Sequence, residues 1–330
     1  MAIKNISDND KELLTQAKKI KNYSNAIWLN SINDVKDNNN SKLKRTLEQV
    51  KTEYKKSQGQ TILPVFVLYN LPSRSCHVYS SNGELRANDK DFERYKHEYI
   101  DAIEIQLKEY ADVPIIIIVE PDSLTNLVEN NNISKCRGAK NYYEDGHIYL
   151  INKLGYLKNV ALYLDIGNEY WFKTNESREK AAKMLADIIN KSNPDYVRGF
   201  ASNVGKYAPW ISRDGVDEKT YIKAMHEKLV EAGVKSVYFV EDTSRNGKKT
   251  SSLSLFDLCN QKGAGVGAKP QANPVSSMDY IDAFYWIKPL GISDGSNITN
   301  STVCMSDAPQ YNSWFQNHFI EGLKNSNPKL

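Results

Sequence analysis

The sequence predicts a single-domain α/β barrel, and three observations predict it. Short apolar, β-branched runs recur along the chain, amphipathic helical stretches separate them, and most runs end in polar or acidic residues. No Pro/Ser-rich linker, charge block or internal repeat divides the chain. Residues 25–330 are therefore assigned to one barrel domain, and residues 1–24 to an N-terminal helix or extension outside it.

Seven strands are expected, in order. Ala26 to Leu29 is the first, and the Asn- and Lys-rich stretch from Asp34 to Lys56 reads as a solvated loop and helix face. Ile62 to Tyr69 is the second, followed by a helix over Asp91 to Tyr110 with apolar positions three and four apart. Pro114 to Val119 and Val160 to Asp165 are the third and fourth. A helix over Glu176 to Asn190 leads to the fifth, Val197 to Ser202, and a helix over Asp217 to Ala232 leads to the sixth, Ser236 to Val240. Ala283 to Ile287 is the seventh.

Composition narrows the function classes. The 330 residues are 40% hydrophobic and 25% charged, which places the chain among ordinary globular proteins and excludes disordered and fibrous classes. The net charge of +3 is small and the basic residues are dispersed, so no nucleic-acid footprint is present. No apolar run approaches the ~18 residues of a membrane span.

The strand ends carry the chemistry. Tyr69-Asn70, Glu120-Pro121-Asp122, Asp165, Asn203, Glu241-Asp242, and Lys288 with Asp294 follow successive apolar runs, and in such barrels the loops at the C-terminal ends of the strands build the active face. The competing reading is that these Asp and Asn residues only cap the helices that follow. Cys76, Cys136, Cys259 and Cys304 are even in number and lack metal-ligand spacing, so two disulfides are expected, with three pairings open. A disulfide-bonded chain belongs in an oxidising, extracellular setting. Sequons at Asn5, Asn22, Asn39, Asn132, Asn175, Asn297 and Asn300 agree with secretion, although an Asn-rich chain also produces them by chance.

Several stretches then become recognisable together. They are Trp28-Leu29-Asn30, Tyr69-Asn70-Leu71-Pro72-Ser73-Arg74-Ser75-Cys76, Ser81-Asn82-Gly83-Glu84, Glu120-Pro121-Asp122-Ser123-Leu124, Tyr163-Leu164-Asp165, Arg198-Gly199-Phe200-Ala201-Ser202-Asn203-Val204, Asp242 with Arg245-Asn246-Gly247, and Trp286-Ile287-Lys288-Pro289 with Asp294-Gly295. In this order, and over nearly the whole chain, the sequence resembles glycoside hydrolase family 6, the inverting β-1,4-glucanases and cellobiohydrolases. The resemblance implies a distorted seven-stranded β/α barrel and the disulfides Cys76 with Cys136 and Cys259 with Cys304. It also implies a sugar cleft flanked by disulfide-pinned loops, and a more open groove, because the loop from Asp294 to Trp314 looks short for the family.

Inverting hydrolysis needs one carboxyl to protonate the leaving oxygen while water attacks from the opposite face. By resemblance Asp122 is that acid, Asp294 ends the proton-accepting water chain, Ser81 holds the water, Tyr69 distorts the sugar, and Arg74 is retained beside it. Trp28 and Trp171 match sugar platforms, with Asp165, Asn203 and Lys288 as further retained groups. Four positions depart from the family. Its second catalytic-site Asp is Ser75 here, its His is Asn168, a Trp platform is Leu258, and a Glu is Ile292. A hydroxyl cannot ionise near neutral pH, so Ser75 removes an electrostatic support of the reaction. The expectation is a β-1,4-glucan-binding protein with weak or absent hydrolysis; the alternative is a working inverting glucanase built on Asp122 and Asp294.

Other motifs are weaker. Gly263-Ala264-Gly265-Val266-Gly267 precedes Lys269-Pro270 instead of opening a helix, Ser75 beside His77 lacks the setting of a hydrolase triad, and the five histidines show no metal spacing. No cofactor and no metal are expected. The expected partner is β-1,4-glucan or a related polysaccharide, with neither nucleic acid nor membrane. A monomer is expected, alone or as part of a larger modular polypeptide. Trp286 and Trp314 are expected in the core.

Overall fold

A computed structural model describes residues 6, 10–56, 62–78, 82–250, 259–295 and 301–330. Ser81, Leu258 and the sequon positions Asn5, Asn297 and Asn300 lie outside the described residues. The strands are β1 (Ile27–Leu29), β2 (Val65–Leu68), β3 (Ile115–Val119), β4 (Val160–Asp165), β5 (Gly199–Ser202), β6 (Tyr238–Asp242), β7 (Gln271–Ala272) and β8 (Ile281–Tyr285). They form one sheet in the order β1-β2-β3-β4-β5-β6-β8-β7. Every neighbouring pair is parallel except β7 with β8.

The sheet curls until β1 approaches β8, but there the ladder is nearly absent. A single isolated bridge joins Asn25 to Trp286, with the Ala26 amide donating to the Trp286 carbonyl at 3.0 Å. The Trp28 indole N–H adds a bond to the Ile287 carbonyl, also at 3.0 Å. The result is an incompletely closed barrel.

The expected seven strands become eight. The parallel ones are those predicted, some shifted or shortened by a few residues. Pro64 has no N–H to give, and the second strand begins only at Val65. The added β7 is a two-residue, exposed, antiparallel pairing between Pro270 and Pro274, too short and too polar to leave an apolar signature.

Period-2 alternation sorts side chains between the two faces of the sheet. Val67, Ile116, Ile118, Tyr163, Ala201, Val240 and Ala283 point into the barrel, where small residues on β5 and β8 suit the confined interior. Phe66, Leu68, Ile115, Ile117, Leu162, Phe200 and Phe239 point outward and pack under the helices. These helices are α2 (Lys42–Lys56), α3 (Asp89–Arg94), which continues through a π turn (Tyr95–Ile100) into α4 (Asp101–Glu109), α5 (Ser123–Glu129), α6 (Ser134–Leu154), α7 (Asn175–Lys191) and α8 (Glu218–Glu231). The helix predicted over Asp91 to Tyr110 is this π-interrupted unit.

Outside the barrel, α1 (Lys11–Ile20) packs on α9 (Gln316–Lys324) through Leu13, Ala17, Phe319 and Leu323, with Trp286 in the same cluster. Trp286 is core, as expected. Trp314 is not: it is 41% exposed, because it sits on an irregular segment bridged to Ile292 and its ring leans on Phe319 from outside. Both disulfides form, Cys76 with Cys136 and Cys259 with Cys304. Among the described residues no helix is long and apolar enough to cross a membrane.

Candidate functional site

The C-terminal ends of the strands hold a concentration of left-handed backbone. Ser73 (φ 58°), Ser75 (φ 51°), Glu120 (φ 45°), Asp122 (φ 66°) and Asn203 (φ 61°) all lie just after β2, β3 or β5. Non-glycine residues held there cost free energy, and such strain gathers where side chains are aimed for function. Asp122 is formally the N-cap of α5, yet its carboxylate makes no cap bond. The helix-capping reading therefore fails at the residue where it matters most.

A cleft opens over this face, lined by Trp28, Tyr69, Asp122, Lys206, Arg245, Lys288, Asp294 and Tyr311. A second, open pocket adjoins it through Trp28, Lys288 and Tyr311 and extends to Asn30, Lys42 and Ile292. Five of the residues expected from sequence thus meet at one cleft: Trp28, Tyr69, Asp122, Lys288 and Asp294. Two more stand directly behind it. The Ser75 hydroxyl shares a hydrogen bond with the Tyr69 hydroxyl. Arg74 donates to the carbonyls of Tyr69 and, at 2.7 Å, Asn30, with its guanidinium 4.6 Å from the Tyr69 ring centroid. Burial pushes the Tyr69 phenol well above its ordinary range.

The remaining expected residues are spent on the frame. Asp165 Oδ2 accepts from the amides of Asp122 (2.9 Å) and Gly167 (3.2 Å), and burial, then the Asp122 charge, pushes its carboxyl up. The Asn203 side-chain amide donates to Ala208 O, Glu241 Oε1 and Asp242 O. Asn168 is buried and its Oδ1 accepts from the Tyr170 amide. Trp171 is only 5% exposed, covered at its edge by His77, 5.6 Å between ring centroids, and by the Lys206 ammonium 5.8 Å from its ring. Residues 296–300 of the loop expected to open the groove lie outside the described residues, as do Ser81 and Leu258.

Two opposed electrostatic centres face the cleft. Asp294 Oδ2 receives Arg245 Nη1 at 2.6 Å and the Tyr207 hydroxyl at 3.2 Å, while Lys288 Nζ lies 3.5 Å from Oδ1. Burial works to raise the Asp294 carboxyl, but the Arg245 and Lys288 charges prevail and hold it at about 2. Burial also lowers the Lys288 ammonium, against the pull of Asp294. On the other side Asp122 Oδ2 is paired with Lys206 Nζ at 2.9 Å, the side chains being 10% and 16% exposed.

Beneath them Asp242 accepts four backbone amides, from Gly205, Ser244, Ile287 and Lys288, and so ties the loops after β5, β6 and β8 together. Glu120 does the same after β2, accepting from Asn70 N, Leu71 N and the Tyr95 hydroxyl. Burial outweighs these bonds and pushes its carboxyl up to about 7. Among the described residues no group of three or more His, Cys, Asp or Glu side chains is arranged to hold a metal ion.

Sequence reasoning missed Lys206, Tyr207 and Tyr311, and gave Arg245 no role. The available signal was position: Gly205-Lys206-Tyr207 follows Asn203-Val204 at a strand end, on the face where barrel chemistry is built.

An incompletely closed β/α barrel with carboxylates and aromatic walls at its strand ends is a fold of the glycoside hydrolase type. A profile of Glycosyl hydrolases family 6 matches residues 1–326, and the chain belongs to that family. It is 36% identical over 304 residues to 1,4-beta-D-glucan cellobiohydrolase C of Emericella nidulans, covering 86% of this chain and 66% of that protein. To Exoglucanase 2 of Hypocrea jecorina it is 33% identical over 338 residues, covering 96% and 69%. The structure matches cellobiohydrolase II (Cel6A) from Humicola insolens in complex with glucose and cellotetraose, with a TM-score of 0.89, 32% identity and coverage of 100% of this chain and 94% of that one. The chain spans just under two thirds of the length of relatives such as the Emericella nidulans protein, at 66%, and its Aspergillus clavatus counterpart, at 64%.

Proposed function

We propose that this protein binds β-1,4-glucan or a related polysaccharide in the cleft between Trp28, Tyr69 and Asp294, and that its hydrolytic activity is weak or absent. The observation that carries the reading is at Ser75. Its neutral hydroxyl is tied to the Tyr69 hydroxyl where the family resemblance expects a carboxylate. Without that charge nothing at this position favours the cationic transition state of glycoside cleavage, a loss worth orders of magnitude in rate. Binding does not require it. An aromatic wall beside hydrogen-bonding groups suits a sugar ring, which has apolar faces and a hydroxyl rim. The two disulfides support an extracellular setting.

A second reading, an active inverting glucanase, is favoured by one fact: Asp122 and Asp294 border the same cleft, as an acid and the end of a water relay would. One experiment separates the two. Cello-oligosaccharide binding by calorimetry and reducing-sugar release from soluble β-glucan are measured for wild type, Asp122→Ala and Ser75→Asp. Binding without release in wild type, and detectable release in Ser75→Asp, is the expected result. Release by wild type at rates ordinary for a family 6 hydrolase, abolished in Asp122→Ala, would establish the second reading instead.

A further inference from the structure

We propose that Lys206 holds this cleft in a binding, non-cleaving state, its ammonium occupying both Asp122 Oδ2 and the space beside the Trp171 ring. The inference rests on the glucan-binding reading and names a second obstacle to cleavage, independent of Ser75.

The lysine is fixed from behind. Its own amide donates to the Asn203 carbonyl at 2.9 Å, in a turn where Asn203 and Gly205 both take positive φ (61° and 69°). The Gly205 amide is held by Asp242 at 2.8 Å, and the Gly205 carbonyl accepts from Arg245. The ammonium therefore cannot withdraw by a simple swing of its loop. It ends 2.9 Å from Asp122 Oδ2, with little exposure on either partner, so the pair is screened far less than a surface ion pair.

A general acid must present a protonated oxygen to the bridging oxygen of the substrate. At Asp122 one of the two carboxyl oxygens, Oδ2, faces a cation already in place. The same ammonium lies 5.8 Å from the Trp171 ring centroid while His77 covers the ring edge, which leaves this aromatic 5% exposed and closed to a sugar. The Lys206 cover is anchored by charge.

The test compares Ser75→Asp alone, Ser75→Asp with Lys206→Gln, and Ser75→Asp with Lys206→Arg, alongside wild type and Lys206→Gln. Cello-oligosaccharide binding is measured by calorimetry for each variant and turnover by product release. Binding in all five shows that the variants fold. Lys206→Gln should raise turnover in the Ser75→Asp background by at least about 100-fold, the lower range for positioned general acid catalysis, with the gain in kcat and not in KM. Lys206→Arg keeps the cation and should stay as slow as Ser75→Asp alone. The proposal is overturned by equal rates with and without Lys206→Gln, by a release as large in Lys206→Arg, or by an active wild type that loses activity in Lys206→Gln. Absence of oligosaccharide binding in every variant would instead remove the glucan-binding reading, and this inference with it.

Discussion

Ser75 and Asp122 show how much a single side chain decides on a fixed backbone. Both sit at positive φ, 51° and 66°, a region that aspartate tolerates better than most residues, so Ser75→Asp asks little new of the chain. Trp28 is fixed in another way. Its indole N–H is bound to the Ile287 carbonyl at 3.0 Å and its ring meets Tyr69 edge-on at 5.4 Å, so the face it offers the cleft is pre-set. Trp28→Ala should weaken cello-oligosaccharide binding by ~10-fold, about 1.4 kcal/mol of lost stacking, in a calorimetric titration. Unchanged affinity would mean that sugar does not lie over this ring. At this scale the sequence was only partly legible. Tyr69, Asp122 and Asp294 were readable because strand ends and family motifs mark them. Lys206 was not, since a lysine after a strand looks the same whether it faces water or a buried carboxylate. Trp171 was readable as an aromatic at the site, but its covering by His77 and Lys206 is a contact across three loops that no linear pattern records.

Among the elements, β5 carries the tightest constraint. Gly199 opens the strand against the β6 backbone, where an added Cβ would lie 2.1 Å from the Tyr238 carbonyl oxygen. Backbone cannot move aside as a flexible side chain can, so Gly199→Ala should destabilise the protein by roughly 2 to 4 kcal/mol, as overpacking at a rigid contact does. Chemical denaturation would measure the loss, and a change below about 0.5 kcal/mol would show that the two strands separate easily. The strands themselves were the most legible part of the fold. Val160–Asp165 was predicted with the bounds it has, because an apolar run opening on Val160 and ending in an acid leaves little choice. By contrast β7 pairs through two exposed backbone residues, and main-chain pairing of that length has no side-chain signature.

For the molecule as a whole, buried ionisable groups set the pH range of stability. Burial pushes Glu120 up to about 7 from an ordinary 4.5, and it also raises Glu218 and Glu241. Between those limits the folded protein keeps protons that the unfolded chain releases, so raising the pH favours unfolding. Three buried histidines act in the opposite sense. Burial holds His77 and His147 to about 4 and His318 to about 3, so below the ordinary 6.5 the unfolded chain takes up protons that the folded one refuses. Asp294, held at about 2, adds stability above its ordinary 3.8 that is lost as the pH falls toward 2. Above about pH 6.5 the histidine contribution is complete and only the carboxyl loss continues. The melting temperature should therefore be highest near pH 5 to 6.5 and fall toward pH 8.5, and Glu120→Gln should flatten the fall above pH 6.5 by about 1 kcal/mol at most, because most of the Glu120 contribution is lost between pH 4.5 and 6.5. A melting temperature that rises across that alkaline interval would show that these carboxyls are already ionised in the folded protein.

The weak contact between β1 and β8 has a dynamic consequence. The cleft stands directly above it, with Trp28 contributed from one side and Lys288 from the other. One main-chain bridge can break without disturbing the ladders elsewhere, so this slot can breathe while the rest of the barrel stays shut. In deuterium exchange the Ala26 amide should lose protection long before Phe66 or Ile117, which lie in interior strands. A bound oligosaccharide touching both Trp28 and Lys288 would act as a clasp across the slot, and Ala26 should then become one of the amides most slowed by ligand.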